Sequence, residues 1–200
     1  MTTPAVGSIC LFCGSSNAAD PAYLQAAADF GRTLAEAGVR LVYGGGGIGL
    51  MGAAARAAHE AGGDVLGVMP EFLCSREVVY NEVRTLIVPN MHERKRIMFE
   101  ESDAFAVMPG GIGTLEEVVE LLSWKRLHLH NKPIIFVDLG GFWQPFFDLM
   151  EHTVEQRLTP AFALGNWSVS ADVAGVLPLV RSLLVRGPEP MDEAEVVEKV

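Results

Sequence analysis

The sequence predicts an α/β fold in three layers, a mostly parallel sheet flanked by helices, and three observations carry that reading. Short apolar runs alternate with stretches of helical length along the chain. Several of the runs, Leu41-Val42-Tyr43, Ala104 to Met108 and Ile134 to Val137, are apolar without alternation, as strands covered on both faces are. Two runs lead straight into glycine-rich turns and then into helices, the strand–turn–helix unit of Rossmann-like sheets.

Taken in order, strands are expected at 7–13, 39–43, 64–69, 83–88, 103–108 and 133–138, with a short one near 167–170. Helices are expected between them at 21–37, 49–61, 91–101, 114–128, 143–157 and 171–184. Asp20-Pro21 opens the first helix, with Asp as cap and Pro in the first turn, and Gly38 ends it. Residues 1–186 read as a single domain; 187–200, acidic and following Gly187-Pro188, read as a tail or short terminal helix.

A chain of 200 residues, half of them apolar and a fifth charged, can bury a core without disulfide or metal staples. The formal net charge of −10 speaks against nucleic acid or an anionic membrane as partner, since both call for basic surfaces. It leaves room for a small anion, because local arginines and backbone N–H groups act at short range. No segment reaches the roughly 18 apolar residues of a membrane span. Met1 to Gly7 lacks the basic start and apolar run of a signal peptide, so a cytoplasmic location is expected.

Cys10-Leu-Phe-Cys13 has redox spacing. It lies within and at the end of an apolar strand rather than at a helix start, and Cys74 supplies neither a second pair nor a zinc site, so plain buried thiols are expected. The five histidines show no ligand spacing beyond the weak His128/His130 pair, which reads as favourable charge at a helix end. Neither metal nor cofactor is expected.

The glycine turns carry the chemistry. Leu41-Val42-Tyr43 runs into Gly44-Gly-Gly-Gly-Ile-Gly-Leu-Met-Gly52, and Ala106-Val107-Met108 runs into Pro109-Gly-Gly-Ile-Gly-Thr114. Such turns let backbone approach a ligand, and the helix start that follows offers free N–H groups to an anion. Both are therefore expected to hold phosphate. Neither is a Walker loop, because no Lys-Ser/Thr pair follows the glycines. The first strand turns through Cys13-Gly-Ser-Ser-Asn17, which lacks the dinucleotide fingerprint and weighs against an oxidoreductase.

Two helices place charge beside these turns. In 91–101, Arg94 shares a face with Met91, Ile97 and Met98; an arginine on an apolar face needs an acidic partner or an anionic ligand. In 114–128, Leu115, Val118, Val119 and Leu122 form the expected core stripe. Glu117, Leu121, Trp124 and His128 form a second stripe, read as lying on the opposite side; it brings Glu117 within one turn of the glycine loop. The apolar members of that stripe suggest a subunit interface.

Pro109-Gly-Gly-Ile-Gly-Thr-Leu-Glu-Glu117 and Gly45-Gly-Gly-Ile-Gly-Leu-Met-Gly52, with Phe12-Cys-Gly-Ser-Ser16 and Met91-His-Glu-Arg-Lys95, resemble the signatures of the LOG family, the cytokinin riboside 5′-monophosphate phosphoribohydrolases. The resemblance runs from about Ile9 to Ala171 with the motifs in family order. Members have also been labelled lysine decarboxylases, but no lysine here sits in a recognisable pyridoxal-phosphate context. The resemblance implies a nucleotide-binding domain that hydrolyses the N-glycosidic bond of a nucleoside 5′-monophosphate, giving free base and ribose 5-phosphate. It implies Arg94 and Glu117 as the catalytic pair. It implies substrate contacts at Glu77, Arg94, Lys95, Gly110, Gly111, Ile112, Gly113, Thr114, Leu115 and Glu116. Ser123 stands where many members have Thr, and Val78 to Pro89 is the least family-typical stretch. At least a homodimer is implied, with sites near the subunit interface. Prenylated adenine and plain adenine both remain open as the base, and a non-catalytic nucleotide or cofactor carrier on the same fold is the alternative.

Overall fold

The computed structural model describes residues 6–186. Seven strands form one sheet: β1 (Ser8–Phe12), β2 (Arg40–Tyr43), β3 (Val65–Pro70), β4 (Arg84–Val88), β5 (Ala104–Val107), β6 (Ile134–Val137) and β7 (Ser168–Ser170). All pair in parallel, in the order β4-β3-β2-β1-β5-β6-β7. The helices are α1 (Pro21–Glu36), α2 (Gly49–Glu60), α3 (Met91–Glu100), α4 (Ile112–Arg126), α5 (Gln144–Glu155) and α6 (Val176–Arg186). This is a Rossmann-like α/β architecture, as the alternation of apolar runs predicts.

Strand periodicity splits the interior into two cores. Ile9, Leu11, Leu41, Tyr43, Ala104 and Ala106 face α1, α2 and α6, while their neighbours Cys10, Phe12, Val42, Phe105 and Val107 face α3, α4 and α5. The second core is the aromatic one: Phe136 contacts Trp143, Phe146 and Phe147, and Phe12 stacks on Phe105. Each buried aromatic of this kind contributes about 1.5–3 kcal/mol relative to exposure. Cys10 and Cys13 are buried and unbridged, and burial raises both thiols well above their ordinary value, so they are protonated packing groups. Among the described residues, no helix is long and apolar enough to cross a membrane.

Several sequence expectations need correction. The last helix begins at Val176 rather than 171, because Ser170 Oγ and the Asp172 side chain turn the chain through 171–175. Helix α4 begins two residues early, at Ile112. Its two apolar stripes are not on opposite sides. Leu121 lies three residues from Val118 and is buried beside it in the aromatic core, whereas Val119 is half exposed and Leu115 only partly covered. Trp124 packs edge-on against Phe99, and His128, just past the helix in a left-handed conformation, is exposed. His130 is buried, with Nε2 3.0 Å from the Leu121 carbonyl and Nδ1 accepting from the Lys132 N–H. Burial lowers its pKa, so it is a neutral core histidine rather than a charge at a helix end. The tail, 187–200, lies outside the described residues.

The topology positions the candidate cleft. From β1 the chain passes to β2 on one side, and from β5 to β6 on the other, so the neighbours β1 and β5 send their following loops in opposite directions. Open α/β sheets bind ligands in the crevice at such a switch point. Here the crevice is closed at its base by the Gly14 N–H donating to the Pro109 carbonyl at 3.0 Å.

Candidate active site

The two glycine loops differ in a way the sequence did not foretell. At the start of α2 the first amides already have protein partners: Gly49 N–H donates to Asn17 Oδ1 at 2.8 Å, and Leu50 and Met51 N–H both reach the Gly14 carbonyl. That helix start is closed to a ligand. At the start of α4 the cap position is Gly111, which has no side chain to offer, and Gly111, Ile112 and Gly113 are exposed. Its first amides and the positive end of the helix dipole face the crevice beyond β5. Thr114 is buried beneath this turn against Gly110, where a Cβ would overlap its hydroxyl.

Glu117 follows one turn along α4 and is buried. Arg94 comes from α3, whose first turn is capped by Asn90 Oδ1 accepting from Glu93 N–H at 2.9 Å. The other end of α3 is held by Lys132, which donates to the carbonyls of Phe99 and Ser102. This anchored helix delivers Arg94 to 3.5 Å from Glu117 Oε1, and Nη2 also donates to the Gly44 carbonyl at 3.4 Å. Gly44 is necessarily bare, because a Cβ there would overlap the guanidinium. Among the described residues Nη1 has only the Met91 sulfur at 3.8 Å, and Nε is buried with no partner. A buried five-donor cation with contacts this long is not saturated by the protein.

Burial pushes Glu117 up to about 7. Arg94 and Lys95 pull it back, while Glu116 and Glu77 add to the rise. Desolvation wins because a single 3.5 Å contact returns less than a short bidentate bridge would. Lys95 sits between Glu116 and Glu120, reaching the latter at 2.8 Å, and so ties α3 to α4. Burial draws its pKa down, but these two carboxylates outweigh it and hold the ammonium above its ordinary value.

The structure thus brings Arg94, Lys95, Glu116, Glu117 and the turn Gly110–Leu115 to one end of the sheet. Glu77 arrives separately, on the segment after β3, with its carboxylate over Gly46. Ile112 is 84% exposed and does not line the crevice below Glu117. Ser123 is exposed on α4. Sequence reasoning missed Gly44 and Glu120. Glu120 could have been found, lying four residues after Glu116; the Gly44 carbonyl carried no signal. A narrow crevice lined by Phe12, Phe99, Phe105 and Trp124 continues below Glu117 and Lys95. Among the described residues, no group of three or more His, Cys, Asp or Glu could hold a metal ion.

A family model described as possible lysine decarboxylase matches residues 51–180. The chain is 40% identical over 182 residues to the cytokinin riboside 5′-monophosphate phosphoribohydrolase of Rhodococcoides fascians, covering 90% of this chain and 91% of that protein. It is 38% identical over 194 residues to the cytokinin riboside 5′-monophosphate phosphoribohydrolase LOG of Oryza sativa subsp. japonica, covering 94% and 75%. The chain belongs to the LOG family. Among solved structures, the molybdenum cofactor carrier protein MCP of Chlamydomonas reinhardtii superposes with a TM-score of 0.69 at 25% identity, covering 90% of this chain and 99% of that one. In this LOG-family chain the motif at 109–117 is the open turn, and the motif at 45–52 is the closed one.

Proposed function

We propose that this LOG-family chain hydrolyses the N-glycosidic bond of a nucleoside 5′-monophosphate, a cytokinin riboside 5′-monophosphate or AMP, to free base and ribose 5-phosphate. The observation that carries the proposal is the buried Glu117, beside Arg94 and one turn from the open start of α4. The 5′-phosphate binds the amides of Gly111 to Thr114, with Arg94 as its cationic partner. Gly110, Leu115, Glu116, Lys95 and Glu77 complete the substrate contacts, in keeping with the resemblance. So anchored, C1′ stays near Glu117. The C1′–N bond breaks with its electron pair leaving on the base, which takes up a proton from solvent at a ring nitrogen, balanced by the proton that Glu117 later returns to solvent. The ionised Glu117 stabilises the oxocarbenium-like sugar and accepts a proton from the water whose oxygen bonds to C1′.

The likeness to the Chlamydomonas carrier keeps a second reading in play, a carrier that binds without turnover. Incubation with AMP and with isopentenyladenosine monophosphate, followed by chromatography for free base, separates the two. Free base from either supports the hydrolase; tight binding with no base from both supports the carrier. We further propose a homodimer or larger even oligomer, because Ile112 and Val119, seven residues apart on one face of α4, expose apolar surface beside the site. Three free cysteines fit a cytoplasmic location.

A further inference from the structure

The closed glycine loop holds Arg94 at one end and the Glu77 segment at the other. Gly44 accepts from Arg94. Two and three residues on, Gly46 pairs with Val79 in an antiparallel bridge, and the Gly47 N–H donates to the Val78 carbonyl. Glu77 Oε2 would stand 3.4 Å from a Cβ on Gly46. Residues 77–79 therefore ride on Gly46 and Gly47, and any shift of the loop shifts the Glu77 carboxylate.

Arg56 pins that loop. Helical side chains lean toward the helix start, so Arg56 on α2 reaches back over Gly52, one turn away, and donates Nη1 to the Gly47 carbonyl at 2.8 Å. Gly52 leaves the path clear: a Cβ there would stand 3.1 Å from Arg56 Nη1 and would overlap the Gly47 carbonyl. The guanidinium carbon lies 5.9 Å from the centre of the Tyr80 ring, at the far end of the Glu77 segment, and His59 meets the same ring edge-on. Among the described residues Arg56 forms no ion pair with a carboxylate. Among the described residues its Nη1 donor meets one carbonyl and its charge one aromatic ring, and both belong to the Glu77 support.

We infer that Arg56 is a positioning residue which, through the Gly47 carbonyl and the Tyr80 ring, sets Glu77 against the nucleoside half of the substrate. The inference rests on the nucleotide reading above. A carboxylate can only accept, so Glu77 recognises a hydroxyl or amine hydrogen of the sugar or base rather than the phosphate.

A double-mutant cycle tests this, with AMP affinity by calorimetry and steady-state turnover of AMP and isopentenyladenosine monophosphate. The variants are Arg56→Ala, Arg56→Lys, Glu77→Ala and the double Arg56→Ala/Glu77→Ala. Arg56→Ala should weaken AMP binding and raise KM by about 5- to 20-fold, with kcat changed by less than about threefold, the pattern of lost uniform binding. Arg56→Lys, which keeps a donor for Gly47, should recover part of the loss. The double variant should bind about as weakly as Glu77→Ala alone, because one residue acts through the other. Wild-type affinity and KM in Arg56→Ala would overturn the inference, as would losses that multiply in the double variant. If Arg56→Ala does not fold by thermal melt, Tyr80→Leu replaces it in the same cycle with the same two criteria. If wild type binds AMP without releasing base, the hydrolase reading falls while the cycle is still decided on Kd. If wild type neither binds nor turns over nucleotide, both fall.

Discussion

Arg94 Nη2 lies 3.5 Å from Glu117 Oε1, and each residue is only 7% exposed. A buried ion pair this loose does not repay its desolvation, which is why the carboxyl is pushed up to about 7 despite the adjacent cation. The group that would stabilise a cationic sugar thus changes charge near neutral pH, in the range useful for catalysis.

Replacing Glu117 by Gln keeps its size and its capacity to accept from Arg94 but removes the charge. Turnover of AMP or isopentenyladenosine monophosphate should fall by about 10²-fold or more, with nucleotide binding retained, because the missing interaction is largest in the transition state. Glu116→Gln, on the half-exposed partner of Lys95, should cost less. Near-wild-type kcat in Glu117→Gln would remove Glu117 from the chemistry.

The same residue sets two pH dependences. The proposed mechanism needs the ionised form, so kcat/KM should rise with pH through about 7 and level off above. A profile already flat from about pH 5 upward would contradict the burial of this charge. Stability runs the other way. Below the ordinary value of 4.5 the carboxyl is protonated in folded and unfolded chains alike and costs nothing. As pH rises from there through about 7 the unfolded chain ionises first, and stability is lost, to about 3 kcal/mol in full. Glu117→Gln should therefore raise Tm at about pH 8 and leave it nearly unchanged at about pH 4, as read by thermal melts in matched buffers.

Arg94→Ala removes both the proposed cationic partner of the phosphate and the strongest influence lowering the Glu117 pKa. KM should rise and kcat fall together, and the midpoint of the kcat/KM profile should move to higher pH. An unchanged midpoint would mean that the two side chains do not interact in solution.

Val119 is 50% exposed on the face of α4 that also carries Ile112, which makes Val119→Glu the informative surface variant. It should convert an even oligomer to smaller species by light scattering while the melt stays cooperative, since no core contact is lost. A wild type that is monomeric at micromolar concentration would refute the interface.

Activity should survive exhaustive EDTA treatment, because in the proposed mechanism Glu117, rather than a metal-bound hydroxide, supplies the charge needed at C1′. A loss restored by one divalent ion would refute this.

Much of the fold was legible because its signals are local. Asp20-Pro21 caps α1, with Asp20 accepting from the Ala22 N–H, and the unbroken apolar runs became β2, β5 and β6. Helix α4 misled because its apolar residues cover more than half its circumference, so spacing alone could not say that Leu121 turns inward and Val119 outward. His130 misled because a helix-end position resembles a charge site until a carbonyl is found beside its ring.

By itself the sequence determined the order of the elements, the two glycine turns after β2 and β5, and a buried-face arginine and a first-turn glutamate as candidates. Periodicity, caps and missing side chains are written within a few residues of where they act. Only the tertiary structure decided which turn is open. Asn17 and Gly14, arriving from β1, occupy the amides at the start of α2, and among the described residues nothing equivalent reaches α4. It also decided that Arg94 meets a carbonyl 50 residues away at Gly44 and a carboxylate on another helix. The raised pKa of Glu117 follows from those long-range contacts and from the water they exclude, because a charge's cost depends on everything packed around it rather than on its neighbours in the chain.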